Sequence, residues 1–103
     1  MELEDFKSLL ETSGLPVAFG TFPEDDVPEM PFAVYTVPYT NNFAADGEVY
    51  CKINHIQVDI YSRYKDLEAE DKVEKALSSF FWNKEEEKLD DENCYRVTYD
   101  LEV

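Results

Sequence analysis

Alternating apolar and polar residues predict two long β-strands in this chain. Ile56, Val58 and Ile60 alternate with polar neighbours, as expected for a strand with one buried face. The closing stretch CYRVTYDLEV repeats the pattern, with apolar or aromatic residues at every second position from Tyr95 to Val103. Two shorter runs, VAFGTF and FAVYTV, are rich in the β-branched and aromatic residues that strands favour.

Apolar residues three or four positions apart predict two helices. The first covers residues 2–12 and stops before Gly14, and the second covers about 66–80. A weaker strand near residues 80–84 leads into an acidic turn. The predicted order is therefore α-β-β-β-α-β-β. We expect a single domain (1–103) of the α+β class, with one mainly antiparallel sheet of four to five strands and two helices.

The stretch NNFAADGEVYCKIN predicts a tight reversal, because Asp-Gly is a preferred two-residue hairpin turn. If Asp46-Gly47 forms the turn, the numbers of opposed residues sum to 93, and the core residues of both strands fall on one face. The predicted pairs are Ala45 with Glu48, Phe43 with Tyr50, Val37 with Ile56, Tyr35 with Val58 and Ala33 with Ile60. One long hairpin over about 32–61 therefore satisfies the turn and the core together. Pro38 lacks an N–H, so it is expected to lie at a sheet edge or to break the ladder locally.

The outer half of this hairpin extends beyond what two short helices can cover. We identify a candidate subunit interface there, consisting of Tyr39, Asn41, Asn42, Phe43, Asp46, Gly47 and Tyr50. A cross-strand aromatic pair adds at most about 1 kcal/mol to a ribbon, which is too little to order an isolated arm in water. Two interpretations stay open: an ordinary hairpin tip with an aromatic clasp, or an arm that becomes ordered against a neighbouring subunit.

Negative charge is the most unusual feature of the composition. The chain contains 24 acidic and 9 basic residues, a net charge of −15, which disfavours binding to nucleic-acid phosphates. The acids cluster in EDD (24–26), EEE (85–87) and DDE (90–92), which we interpret as solvated loops that maintain solubility. Apolar runs are too short for a membrane span, and the acidic, amphipathic N-terminus does not resemble a signal peptide. Cys51 and Cys94 are therefore expected to be reduced thiols in a cytosolic setting.

No arrangement typical of catalysis, metal binding or cofactor binding appears in the sequence. His55 is the one histidine, and Cys51 lies four residues, or roughly 13 Å, away along an extended strand. The three glycines, Gly14, Gly20 and Gly47, do not form a phosphate-binding loop, and no calcium-loop pattern occurs. We therefore predict no enzyme activity, no catalytic residue, no metal and no cofactor.

Four segments, in this order, resemble a family of small tail proteins of long-tailed phages and prophages of Gram-positive bacteria. They are EDFKSLLETSGLPVAFGTFPE, PFAVYTVPYTNNFAADGEVYCKINHIQVDIYS, KDLEAEDKVEKAL and YRVTYDLEV, which together cover essentially the whole chain. The most specific part is NNFAADGEVYCKINHIQVDIYS, above all Asn42-Phe43, Ala45-Asp46-Gly47 and Lys52-Ile53-Asn54. Cys51 departs from the pattern, because a polar or basic residue is expected there. This departure leaves the fold untouched but changes the local interface chemistry.

The resemblance implies a tail-terminator or tail-completion protein with an α/β fold and no catalytic motif. Members of that group form a hexameric ring that caps the tail tube at its head-proximal end. The implied partners are further copies of the chain, the major tail tube protein and the head–tail connector proteins. DNA would pass through the ring without specific binding, and no membrane is involved. The implied location is the virion tail or neck, assembled in the cytoplasm of the bacterial host. Two alternatives remain: another head-completion or connector component, and an acidic DNA mimic that blocks a DNA-processing protein.

Overall fold

The computed structural model describes residues 2–45, 48–90 and 93–103, and for residues 39–45 and 48–53 it describes the backbone alone. Two helices and five strands form within these ranges. They are α1 (Leu3–Glu11), β1 (Val17–Phe19), β2 (Phe32–Ala45), β3 (Glu48–Ser62), α2 (Leu67–Ala76), β4 (Trp82–Leu89) and β5 (Cys94–Glu102). The predicted α+β class and the order α-β-β-β-α-β-β are confirmed.

The strands of the described chain form one sheet in the order β1-β2-β3-β5-β4. β1 runs parallel to β2, with Val17 opposite Ala33, whereas the other neighbouring strands are antiparallel. A parallel neighbour requires a long crossover connection, and residues 20–31 between β1 and β2 provide it. The sheet is therefore mainly antiparallel, as predicted, with one parallel pair at its β1 edge.

Both helices pack against the same face of the sheet and enclose the core. Phe6 and Leu10 of α1 are fully buried, as are Val73 of α2 and Leu77 just after it. The ring centroids of Phe6 and Tyr35 lie 5.7 Å apart in a tilted arrangement. The sheet contributes Ala33, Tyr35, Ile56, Val58, Ile60, Val97, Tyr99 and Leu101 to the same cluster. Burial of each large apolar side chain contributes roughly 1.5–3 kcal/mol, so this face stabilises the body of the protein.

α2 is shorter than the sequence pattern predicts. It begins after Asp66, whose side chain accepts a hydrogen bond from the Ala69 N–H at 3.0 Å and so caps the first turn. It ends at Ala76 rather than near Phe80. The two serines at 78–79 favour turns over helix because their side chains compete for backbone hydrogen bonds.

The strand that was predicted near residues 80–84 is longer than expected. β4 continues to Leu89, so the EEE run at 85–87 lies in a strand, and its interpretation as an acidic turn or solvated loop is wrong. The run pairs with β5, and Arg96 donates a hydrogen bond to Glu87 at 2.6 Å. Charged residues are common on edge strands because they prevent unwanted pairing with other chains.

The predicted long hairpin is present as β2 and β3, and its two ends have the predicted register. The confirmed pairs are Ala45–Glu48, Tyr35–Val58 and Ala33–Ile60. The predicted turn residues, Asp46 and Gly47, lie outside the described residues. The core at one end and the closing pair at the other therefore agree with the sequence pattern.

Between these ends the register is shifted by one residue, so the prediction that the numbers of opposed residues sum to 93 is wrong for the middle of the hairpin. The shift begins in β2, between the pairs Thr36–Gln57 and Tyr39–His55. The predicted pair of Val37 with Ile56 is therefore replaced by an irregularity that includes Pro38. Proline cannot donate a ladder hydrogen bond, and such positions are typical of bulges, so the expected break at Pro38 is confirmed.

A second irregularity, in β3, restores the original register near the tip. The pairs on either side of it are Phe43–Cys51 and Ala44–Val49. Phe43 therefore pairs with Cys51, and the predicted pair with Tyr50 is wrong. The two shifts have opposite sense, which explains why both ends of the hairpin obey the simple pairing rule although the middle does not.

Candidate subunit-interaction site

The long hairpin has an inner half that belongs to the five-stranded sheet and an outer half that extends beyond it. In the inner half, β2 also pairs with β1, and β3 pairs with β5 from His55 to Ser62. Residues 39–45 pair only with β3, and residues 48–53 pair only with residues 41–45, among the described strands. We call residues 39–45 and 48–53 the arm. At about 3.3 Å per residue, the arm adds roughly 20 Å to the sheet. The molecule accordingly measures 50 × 28 × 24 Å.

The predicted interface residues fall on the arm as far as the structure describes them. Tyr39, Asn41, Asn42 and Phe43 lie in β2, and Tyr50 lies in β3. Asp46 and Gly47 lie outside the described residues. Each strand of the arm has one neighbour in the described sheet, which leaves one edge of backbone N–H and C=O groups facing away from it. Such edges can accept a strand from another chain.

The arm is also poor in charge. Residues 30–45 contain no charged side chain, and residues 39–53 contain two acids and one base, Lys52. Most of the net charge of −15 therefore lies on the rest of the chain. Because like charges repel, two copies of this protein approach each other most easily through surfaces that carry few carboxylates.

The root of the arm, Asn54 and His55, is held by hydrogen bonds to β5 and to Val103 just after it. Asn54 and Val103 exchange two backbone hydrogen bonds of 3.1 and 3.0 Å. Beside them, His55 Nε2 lies 3.2 Å from Asp100 Oδ1. His55 is partly buried in mid-strand. The arm therefore starts from a rigid base in the sheet.

The polar side chains next to this root form a network within the sheet. Asp59 accepts hydrogen bonds from Thr98 Oγ1 at 2.6 Å and from Gln57 Nε2 at 3.2 Å. The Thr98 hydroxyl thus donates to Asp59 and not to His55, so it does not form the nucleophile–base pair that acyl transfer requires. Within the described ranges, no three His, Cys, Asp or Glu side chains converge as metal ligands. The geometry supports a role in holding β3 to β5.

A second polar network joins α2 to the edge strand β4. Glu70 is 2% exposed, and its Oε1 accepts hydrogen bonds from Lys65 Nζ at 3.0 Å and from Lys84 Nζ at 3.2 Å. Hydrogen bonding to Glu86 and Glu70 raises the pKa of Lys65. Hydrogen bonding to Glu74, with a smaller effect of Glu70, raises the pKa of Lys84. Both lysines are therefore held in the charged form that balances the buried carboxylate.

Tyr99 extends this network into the core. Its hydroxyl donates a hydrogen bond to Glu74 Oε2 at 2.8 Å, and the ring of Trp82 packs edge-on against it at 5.2 Å. Burial, followed by the hydrogen bond to Glu74, raises the pKa of Tyr99 well above its usual range. The network fixes the position of β4 relative to α2 and leaves the arm outside its reach.

Ion pairs interrupt the acidic run on β4. Glu86 contacts Lys65 on one side, and Glu87 contacts Arg96 on the other. Successive strand residues point to opposite faces of a sheet, so the three carboxylates do not form a single row. A DNA mimic requires charges along one surface at the pitch of DNA phosphates. The arrangement on β4 therefore gives no support to that alternative.

The sequence pattern missed one exposed apolar feature beside the root of the arm. Phe81 is fully exposed (100%), whereas its neighbour Phe80 is partly buried against the core. The signal that could have identified it is the absence of charge: residues 76–83 read ALSSFFWN, with aromatic residues but no carboxylate. In so acidic a chain, an exposed aromatic segment without charge is a candidate contact surface.

No family model matches this chain, and no curated protein matches it either. None of the helices formed by the described residues is long and apolar enough to cross a membrane.

Proposed function

We propose that this chain is a phage tail structural protein of the tail-terminator or tail-completion type. It forms a ring, expected to be a hexamer, at the head-proximal end of the tail tube. The observation that carries this proposal is the arm, a two-stranded ribbon that continues the sheet but has no strand on either side of it in the described chain. Such a ribbon gains a stabilising environment when a neighbouring subunit pairs with its edges or covers its faces.

The sequence resemblance supports the biological setting of this assembly. The most specific resembling stretch, NNFAADGEVYCKINHIQVDIYS, covers the arm from Asn41 onward and the part of β3 that pairs with β5. The resemblance to small phage tail proteins therefore includes the segment that is available for contact with another chain. The partners expected in the virion are further copies of the chain, the major tail tube protein and the head–tail connector proteins.

The acidic composition suits a ring through which DNA moves. Carboxylates facing the lumen repel phosphates, so DNA passes without specific binding. Six chains of −15 would together carry about −90, and assembly must overcome that repulsion. Rings should therefore form more readily when salt or Mg²⁺ screens the carboxylates. Sedimentation velocity at increasing salt measures this directly, and a ring population that shrinks as salt rises contradicts the proposal.

Deletion of the gene from the phage or prophage that encodes it tests the function. Electron microscopy of the lysate is expected to show tails of uncontrolled length or tails that fail to join heads. Tails of normal length joined to heads overturn the proposal. Heads that lose their DNA beside normal tails indicate the head-completion alternative instead. Complementation with the unchanged gene serves as the control.

Two substitutions on the arm test its role in subunit assembly. Phe43→Ala combined with Tyr50→Ala removes two aromatic side chains of the arm, and we expect ring formation to be lost. Sedimentation of the purified variant, with circular dichroism to confirm that the body is folded, gives the readout. Ring formation at the level of the unchanged protein excludes the arm as the subunit contact.

A further inference from the structure

An exposed aromatic groove lies beside the root of the arm. Its apolar lining comes from Phe80, Phe81 and Leu101, and its rim includes His55 and Asp100. The groove has a volume of about 460 Å³. We call it the Phe81 groove. Phe80 anchors it to the core through Phe6, with ring centroids 6.4 Å apart. The groove is thus a feature of the packed body and not of a loose loop.

The charge distribution limits what can occupy this groove. The segment 76–83 carries no charge, but the groove also has acidic residues, Asp100 and Glu102, along it. A fitting occupant is therefore apolar or aromatic, poor in acids, and carries a base for the rim. The arm comes near this composition: residues 39–53 include Tyr39, Phe43 and Tyr50, carry the base Lys52, and contain two of the 24 acids of the chain, Asp46 and Glu48.

The position of the groove also fits contact between copies of the chain. His55 belongs both to the groove lining and to the pair with Tyr39 that begins the arm. The arm of a given chain continues β2 and β3 away from this point, so its own groove stays open. Contact between two different surfaces, an arm and a groove, repeats from one subunit to the next. It closes into a ring when the rotation between neighbouring subunits brings the last copy back to the first.

We propose that the Phe81 groove receives the arm of a second copy of this chain. This inference rests on the proposed function in one respect, namely that the arm is the element by which subunits assemble. It adds the site on the neighbouring subunit.

Thiol cross-linking of the assembled protein tests the contact. The arm contains a native thiol, Cys51, so Phe81→Cys places a second thiol in the groove. We treat the purified variant with a short bis-maleimide under ring-forming conditions, and we treat purified tails from phage that carry the variant in the same way. Both samples are expected to give a ladder of covalent oligomers. Leu67→Cys is the matched control, because Leu67 is also exposed (69%) but lies outside the groove. Adding Cys51→Ser to Phe81→Cys should abolish the ladder.

Phe81→Ser supplies a second measurement that does not depend on chemical reactivity. Because Phe81 makes no buried contact, the variant should fold normally, and self-association is expected to weaken about tenfold, as for an exposed aromatic anchor in an interface. Leu67→Ser should leave it unchanged. Three outcomes overturn the groove assignment. They are equal cross-linking at positions 81 and 67, cross-links from position 81 to the tail tube protein instead of another copy, and unchanged self-association of the Phe81→Ser variant.

Failure of this inference can be distinguished from failure of the proposed function. If Phe81→Ser assembles normally while the arm variant Phe43→Ala with Tyr50→Ala does not, the arm docks elsewhere and the proposed function stands. If phage lacking the gene make normal tails, the proposed function is wrong whatever the cross-links show.

Discussion

The inner and outer halves of β2 and β3 belong to the same two strands but lie in opposite environments. In the inner half, each strand has neighbours on both sides, and Ala33, Ile56 and Val58 are fully buried. In the outer half, the two strands have only each other in the described sheet. Folding therefore explains the inner half completely. The outer half is long enough to need a second explanation, and we propose contact with a neighbouring subunit.

Paired alanine substitutions on β3 should show this difference most strongly. Ile56 is fully buried, so Ile56→Ala should lower the free energy of unfolding by about 3–4 kcal/mol through lost burial and a new cavity. Ile53→Ala, three residues away in the arm, should change it by less than about 0.5 kcal/mol in the monomer. Urea unfolding followed by circular dichroism measures both. If Ile53→Ala lowers the free energy of unfolding nearly as much as Ile56→Ala does, the arm packs on the body of its own chain.

The charged junction between α2 and β4 tests whether the body depends on more than apolar packing. Lys65→Met combined with Lys84→Met leaves the buried Glu70 carboxylate without its two cations and should destabilise the body by about 3 kcal/mol. Glu70→Met alone should lower the free energy of unfolding much less, because both lysines are partly exposed and keep other carboxylate partners. The triple variant should recover most of the stability. Additive losses in urea unfolding contradict this coupling.

The sequence predicts those parts of the fold in which local pattern and burial agree. The alternation around Ile56 and Val97 identifies the central strands, and the apolar stripes identify both helices. The register is predictable at both ends of the hairpin, because the buried pairs fix one end and the Asp-Gly signal the other. The middle is not predictable by counting, because an irregularity at Pro38 and a compensating one near Tyr50 cancel before either end is reached.

The remaining failures have a common physical origin in contacts between distant residues. β4 contains a run of three glutamates that carries no strand signal, and partners from elsewhere stabilise it, including Lys65 and Arg96. The groove at Phe81 depends on the end of β5 lying beside the segment after α2. The sequence predicts the arm but not the Phe81 groove, because a strand edge is formed by one local segment whereas the groove is assembled from three segments.

Alkaline pH should weaken the body by way of Tyr99. Its folded-state pKa is raised, so the folded protein retains a proton that the unfolded chain loses above about pH 10. The free energy of unfolding should therefore fall as pH rises beyond that point. Tyr99→Phe should cost about 1.5 kcal/mol at neutral pH, since it removes the hydrogen bond to Glu74, but it should make the alkaline decline shallower. Urea midpoints from pH 8 to 11 test this, with the exposed Tyr64→Phe as the control. If stability falls with rising pH as steeply in Tyr99→Phe as in the unchanged protein, the Lys65 and Lys84 network alone accounts for the loss.

Shortening of the arm should have the smallest effect on stability. It is the most direct test of the difference between the inner and outer halves of the hairpin. Replacement of residues 42–52 by Asn-Gly leaves the paired residues Asn41 and Ile53 joined by a favourable two-residue turn. Since the removed strands pair only with each other in the described sheet, the free energy of unfolding should change by less than about 1 kcal/mol, with loop shortening offsetting lost ladder bonds. Sedimentation should nevertheless show that ring formation is lost at every salt concentration. If the shortened chain is strongly destabilised, the arm belongs to the folded body. If it is stable and still forms rings, the body alone carries the subunit contact, and the length of the hairpin needs another cause.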